Sequence, residues 1–243
     1  MSIIYEPAGR AREYAALAAN LYAGCGHGCT YCYAPMALRR DREQFHQQVQ
    51  PRKNVMAQFR KDCLKYKGQD IPPVLLSFTT DPYQPIDEEY QLTRQGIQAL
   101  HENGLAVEVL TKGGTRAVRD FDLLDGRDAF ATTLTFLNHK DSEKWEPNAA
   151  SPADRIKAMK EAYGRGIRVW ASLEPVIDPE QSLEIIRLTH MFVDLFKVGK
   201  LNHHPLAASI NWRDFGWKAK TLLDELDCNY YLKHDLRACM GLQ

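Results

Sequence analysis

A chain of 243 residues is long enough for one large domain, and α/β barrels are commonly about this size. Hydrophobic residues make up 44% and charged residues 26%, the balance of an ordinary globular protein with a sizeable core. Thirty-one basic side chains offset thirty-one acidic ones, which excludes a broad electrostatic grip on nucleic acid and leaves room for a local basic groove.

Residues 1–16 read as an arm without clear periodicity. The start lacks a basic segment followed by an apolar core, and the Ala-rich stretch Ala15–Ala19 is too short to span a membrane. A first strand is expected near Leu17–Tyr22, followed directly by the cysteine-rich stretch Cys25–Pro35. Met36–Gln50 is polar and holds Arg39-Arg40-Asp41-Arg42, a run that can touch a polyanion but is more often a solvated helix face. Lys53–Lys67 predicts a helix, with Val55, Met56, Phe59 and Leu64 at roughly helical spacing.

A pattern then repeats. Strands are predicted at Pro73–Phe78, Ala106–Leu110, Ala129–Leu134, Ile167–Leu173 and Phe192–Val198. Between them lie helices at Tyr90–Glu102, stopped by Asn103-Gly104, near Thr115–Leu124, from an N-cap at Ser151-Pro152, and at Pro179–Thr189. Trp212–Leu226 reads as the last helix, before a short apolar stretch at Tyr230–Leu232. Six strands alternating with helices predict a parallel sheet buried by its crossovers, in a single domain over residues 1–243. Whether the sheet closes is not written in the periodicity.

Cys25, Cys29 and Cys32 lie within eight positions, spaced x3 then x2, with an aromatic directly after the third. A loop this short can wrap three thiolates round one face of an iron–sulfur cluster and holds no fourth cysteine, so one iron keeps an open site for an outside ligand. Gly24, Gly26 and Gly28 allow the backbone to turn tightly there. A zinc site completed by His27 or a remote cysteine is the rival, although zinc sites usually use paired C-x2-C hooks. Cys63, Cys228 and Cys239 stand far from the trio and from each other, unlike a secreted disulfide framework; a reducing cytoplasm fits.

The spacing resembles the signature of the radical S-adenosylmethionine (SAM) enzymes. Thr79–Pro85, Leu92-Thr93-Arg94, Thr111-Lys112, Arg119–Leu124, Glu146-Pro147, Ser151-Pro152 and Arg155 are similar to segments of the spore photoproduct lyase-related group, so that the resemblance runs from about Leu21 to about Leu201. It implies an α/β fold, a partial (β/α)6 TIM-like barrel open at one side, with a core of about residues 17–201 and a C-terminal extension of about 202–243. It also implies a [4Fe–4S] cluster on Cys25, Cys29 and Cys32 that reductively cleaves SAM, and a 5′-deoxyadenosyl radical that abstracts hydrogen from a substrate. A flavodoxin or ferredoxin would supply the electron.

By the same resemblance Thr80 and Asp81 meet the amino group and ribose of SAM, Lys112 its carboxylate, Thr133 or Thr135 donates a further bond, and Tyr33 packs near adenine. Arg155 is a second candidate for the carboxylate, and Glu174 points towards substrate or nucleoside. Each has a plainer alternative: Asp81 can form an Asx turn before Pro82, and Arg155 can pair with Glu161 or Asp154 on a helix surface. The lyase uses a cysteine as hydrogen donor beside these SAM residues, but Ser77-Phe78-Thr79-Thr80-Asp81 contains none, so the repair reaction itself is not implied. By analogy with the family it resembles, the expected substrate is a nucleic-acid base or nucleotide, thymine-like, with a small metabolite or peptide as the alternative and a structural metal-binding module as the remote one. His203-His204-Pro205, Asn211-Trp212, Trp217 and Tyr230–Lys233 combine aromatics with basic and amide groups fit to stack on a base, and Tyr231 with Leu232 is expected to close the open barrel.

Overall fold

Short apolar runs between turn residues become strands. In the computed structural model, which describes residues 2–242, these are β1 (Ile4–Tyr5), β2 (Leu17–Ala19), β3 (Tyr22–Ala23), β4 (Gln50–Pro51), β5 (Val74–Leu76), β6 (Val107–Thr111), β7 (Ala129–Thr133), β8 (Arg168–Leu173), β9 (Leu195–Val198) and β10 (Tyr230–Leu232). One sheet runs β1-β2-β5-β6-β7-β8-β9-β10, and every pair from β2 to β10 is parallel. β2, β5 and β7 are buried along their whole length, which is why they read as continuous apolar runs.

The helices are α1 (Ala34–Ala37), α2 (Arg42–Gln47), α3 (Val55–Tyr66), α4 (Asp87–Tyr90), α5 (Leu92–His101), α6 (His139–Trp145), α7 (Pro152–Gly164), α8 (Pro179–Thr189), α9 (Trp212–Glu225) and α10 (His234–Met240). Ser151 caps α7 by accepting from the Asp154 amide, as its position before Pro152 predicted. Helices connect successive parallel strands, the arrangement of a partial (β/α)6 TIM-like barrel. None is long and apolar enough to cross a membrane among the described residues.

Four features depart from the expectation. The arm supplies an antiparallel edge strand: Ile4 and Tyr5 pair with Ala19 and Ala18, and the buried Asp62 carboxylate of α3 accepts from the amides of Ile3 (2.5 Å) and Ile4 (3.2 Å). β3 and β4 form a small antiparallel ladder that closes the excursion carrying the cysteines. The segment expected as a helix near Thr115–Leu124 is a 3-10 helix over Gly114–Asp120. It is pinned at its start, where Asp154 accepts from the Thr115 amide and hydroxyl, and at its end, where buried Asp120 accepts from Tyr83 and Arg94. Finally, Tyr230–Leu232 is a seventh parallel strand, in register with Phe196–Val198.

The sheet does not close, since β10 and β1 remain its two edges. A 3-10 helix over Gly9–Glu13 approaches the β10 edge instead: Glu13 Oε1 accepts from the Tyr231 hydroxyl (3.0 Å) and the His234 amide (2.6 Å), and Arg10 pairs with Asp235 at 2.9 Å. The register brings the C-terminal ends of all seven parallel strands to one rim. The cysteine loop, Thr79–Asp81, Lys112, Thr133, Glu174, Lys200 and Lys233 all follow or end those strands.

Candidate functional site

The cysteine loop is held by its backbone. Gly24 has φ +88°, and a Cβ there would lie 2.5 Å from the Phe45 carbonyl, so only glycine fits as the chain turns into Cys25. The Cys25 amide donates to that carbonyl at 3.1 Å, the Gly26 amide to Gln84 Oε1 at 2.8 Å, and the Thr30 amide to the Trp145 carbonyl at 2.9 Å. Arg42 donates to the carbonyls of Cys29 (3.2 Å) and Cys32 (2.6 Å). With the backbone tied outwards, all three thiols line one cavity of about 400 Å³.

Burial pushes all three thiols up, Cys25 well above the ordinary range, Cys29 to about 12, and Cys32 in the same direction. A cationic centre bound to the sulfurs reverses that penalty, because a coordinated thiol is deprotonated outright. The donor set is all sulfur and one ligand short of four, which fits a cubane cluster with one open iron.

His27 is buried, and both of its ring nitrogens have protein partners. Its Nδ1 lies 3.4 Å from Asp81 Oδ2 and its Nε2 3.1 Å from Arg116. Burial lowers its pKa to about 4 against the pull of Asp81, so the ring is neutral near pH 7, and Arg116 as donor leaves the proton on Nδ1. Asp81 is engaged on both oxygens: Oδ1 accepts from the Tyr83 amide (2.9 Å) and the Thr111 hydroxyl (2.6 Å), and Oδ2 from the Lys112 amide (2.7 Å). The bond from Tyr83 is the Asx turn read from the sequence, those from Thr111 and Lys112 tie the segment after β5 to the end of β6, and the His27 contact links both to the cysteine loop.

Arg155 is not on a helix surface. It is buried and donates to the Ala150 carbonyl (2.8 Å), the Thr133 carbonyl (3.0 Å) and Glu146 (2.5 Å), while Tyr31 also donates to Glu146. Asp154 and Glu161, its surface alternatives, serve Thr115 and Arg165 instead. Arg155 does not line the cavity, whereas Tyr33, Thr80, Asp81, Lys112, Thr133 and Glu174 do. Burial works against the Lys112 ammonium, but Cys29, Glu146 and Asp81 outweigh it and hold the pKa above the usual lysine value. Lys112 lines the cavity with no salt-bridge partner within 4.0 Å among the described residues, its ammonium 5.7 Å from the centre of the Tyr31 ring. Thr80 Oγ1 reaches Asn20 at 3.4 Å, and the Tyr33 hydroxyl donates to the Phe78 carbonyl at 3.3 Å.

Sequence reasoning missed Tyr14, which enters the cavity from the arm, and the partnership of His27 with Asp81 and Arg116. Tyr14 sits in a stretch with no periodicity to flag it. The His27 partners lie 54 and 89 positions away, and only the fold joins them.

The family model described as the radical SAM superfamily matches residues 19–192. An uncharacterized protein of Methanocaldococcus jannaschii is 27% identical over 187 residues, covering 75% of this chain and 69% of its own length. A protein of Pseudomonas phage M6 named radical SAM Nalpha-GlyT isomerase is 27% identical over 213 residues, which span 83% of this chain but 40% of the phage protein. Among solved structures, a spore photoproduct lyase mutant with bound AdoMet and dinucleoside spore photoproduct superposes with a TM-score of 0.69 at 14% identity, over 91% of this chain and 77% of the lyase. Streptococcus suis SuiB bound to its precursor peptide SuiA superposes at 0.66 with 14% identity, over 90% of this chain and 49% of SuiB.

Proposed function

Given that the chain belongs to the radical SAM superfamily and is a radical SAM enzyme, with a [4Fe–4S] cluster and SAM as its cofactors, we propose that it acts on a thymine-like nucleic-acid base. In this reading Cys25, Cys29 and Cys32 hold the cluster, which when bound supplies the electron that cleaves SAM to a hydrogen-abstracting 5′-deoxyadenosyl radical. One observation carries the cofactor part of the reading: three largely buried thiols and the Lys112 ammonium, which has no salt-bridge partner among the described residues, share a cavity at the C-terminal rim of a parallel sheet.

The chain's own groups divide the work. Lys112 binds the carboxylate of SAM, its charge secured by Glu146 and Asp81. Thr80 and Thr133 offer hydroxyls on the same wall, and Tyr33 presents a half-exposed ring for the adenine. Asp81 acts by position: with its oxygens engaged by the protein, it fixes Lys112 and His27 and leaves SAM to its neighbours. Arg155 and Glu146 form the buried base beneath Lys112 and Tyr31, and Arg42 orients the carbonyls of the cysteine loop. Glu174 faces the substrate. A low-potential flavodoxin or ferredoxin is the electron donor of this reading.

A base is favoured over a peptide on one ground. The cavity has an aromatic flank in which Tyr14 and Phe78 lie 5.8 Å apart and Tyr33 and Phe78 6.3 Å. SuiB, bound to a peptide, supports the alternative through fold likeness alone. Anaerobic reconstitution tests the cofactor assignment: about four irons and four sulfides per chain, and an electron paramagnetic resonance signal of the reduced cluster that shifts when SAM is added. Full cluster uptake by the Cys25→Ala, Cys29→Ala and Cys32→Ala variants would contradict it.

A further inference from the structure

The cavity has a second polar group, built from parts of the chain that the cysteine loop does not touch. Glu174, just past β8, accepts at Oε2 from the Tyr14 hydroxyl (2.6 Å) and from Lys233 Nζ (2.5 Å). Lys233, just past β10, sits with its ammonium 3.8 Å from the centre of the Tyr14 ring. Ser172 Oγ lies 2.9 Å from the Tyr14 hydroxyl, and Lys197 donates to the Tyr14 carbonyl at 2.7 Å, so the ring is fixed in place from two sides. The Lys233 and Glu174 side chains are only 6% and 18% exposed.

Room for this group is built into the backbone. A Cβ at Gly199 would lie 2.6 Å from Glu174 Oε1, so a glycine at the end of β9 is what admits the carboxylate. Oε1 accepts no hydrogen bond among the described residues, and Lys233 spends one of its three N–H groups on Glu174. A buried ion pair is weak evidence for stability, because burying both charges costs about as much as their attraction returns. This pair joins the N-terminal arm, β8 and β10 at the mouth of the cavity, with capacity left over on both partners.

We infer that Tyr14, Glu174 and Lys233 form a specificity site that reads the imide edge of a thymine- or uracil-like base. The inference rests on the nucleic-acid reading above. Tyr14 and Lys233 both donate to Glu174 Oε2, so the three groups together can offer a donor, an acceptor and a donor to one ligand, and the imide edge, carbonyl then N3–H then carbonyl, is the complement of that set. Glu174 accepts from N3–H, Lys233 donates to one carbonyl, and the Tyr14 hydroxyl turns its proton from the carboxylate to the other. Cytosine presents two acceptors and then a donor, which sets its N3 against the carboxylate. A peptide amide leaves one of the two donors unmatched. Phe78, 5.8 Å from the Tyr14 ring, supplies aromatic surface for a planar ring on the same flank.

The test uses the cluster-loaded chain with SAM and measures the anisotropy of labelled single-stranded oligonucleotides of one length at one salt concentration. Oligodeoxythymidylate, oligodeoxycytidylate and oligo-N3-methylthymidylate carry the same phosphates, so differences report the base edge. Thymidylate is expected to bind at least about tenfold more tightly than the other two. Glu174→Ala should bring it to the cytidylate level, while Glu174→Gln, which keeps an acceptor oxygen, should retain part of the preference. The N3-methyl comparison uses unaltered protein and decides the matter even if a variant fails to fold. Equal affinity for all three oligonucleotides overturns the inference, as does no affinity for any of them beside binding of a peptide. A cluster-loaded protein that forms no 5′-deoxyadenosine with dithionite and any of these substrates is a separate failure: it removes the radical reading and leaves the affinity ratios as measured.

Discussion

At Lys112 and Arg155 two cations that the sequence assigned to one task separate into two. Lys112 faces the cavity with no ion-pair partner among the described residues, whereas Arg155 spends its donors on Glu146 and on backbone carbonyls. Lys112→Met should therefore weaken SAM binding by about tenfold to a hundredfold, the value of a charge-assisted bond, as equilibrium dialysis on cluster-loaded protein would measure. Arg155→Leu should act on stability, costing about 3–5 kcal/mol in denaturant unfolding, because Glu146 would remain buried without its cation. The residues at 25, 29 and 32 stand out by their spacing and those at 80, 81, 112, 133 and 174 through the resemblance, and the fold brings all eight to one cavity. The pairing of Arg155 could not: helical spacing offered Asp154 and Glu161, and only the fold brings Glu146 to it.

Among the elements, β1 was the least visible, since a two-residue strand has no alternation to read. Its support is Asp62, whose donors Lys65, Ile3, Ser2 and Gln58 outweigh the effect of burial and hold the carboxyl down to about 2. A carboxyl depressed from 3.8 contributes stability that is fully present above about pH 4 and is lost as pH falls through about 2. The difference is about 2 kcal/mol, as an order of magnitude. Asp62→Asn should thus be less stable than wild type at pH 6 in urea titrations, with the gap narrowing below about pH 3, and its Ile3 and Ile4 amides should exchange faster. Helices fared better where capping chemistry was written locally: α8 begins at Pro179, after Asp178 accepts from the amides of Glu180 and Gln181, as its Asp-Pro start suggests. The 3-10 segment over Gly114–Asp120 differed because its ends are tied to distant residues, Asp154 at one and Tyr83 with Arg94 at the other.

Over the whole molecule, the alternation of strands and helices was enough to predict the parallel sheet, but its open side depends on what the two ends of the chain do. β10 adds a parallel strand, and Glu13 on the arm accepts from Tyr231 within it and from His234 just past it. Glu13→Ala should speed hydrogen exchange at Tyr231–His234 and change global stability by less than about 1 kcal/mol, since these contacts are exposed. The same two ends bring Tyr14 and Lys233 to Glu174, a meeting of residues 14, 174 and 233 that no local pattern announces. The central claim is that the loop of Cys25, Cys29 and Cys32 holds the cluster that cleaves SAM, and one measurement tests it most directly. The protein is reconstituted anaerobically with iron and sulfide, given SAM, dithionite and oligodeoxythymidylate, and assayed for 5′-deoxyadenosine beside a Cys29→Ala variant. The account predicts product from the wild type and none from the variant; equal product from both, or none from a wild-type protein shown to hold a full cluster, would contradict it.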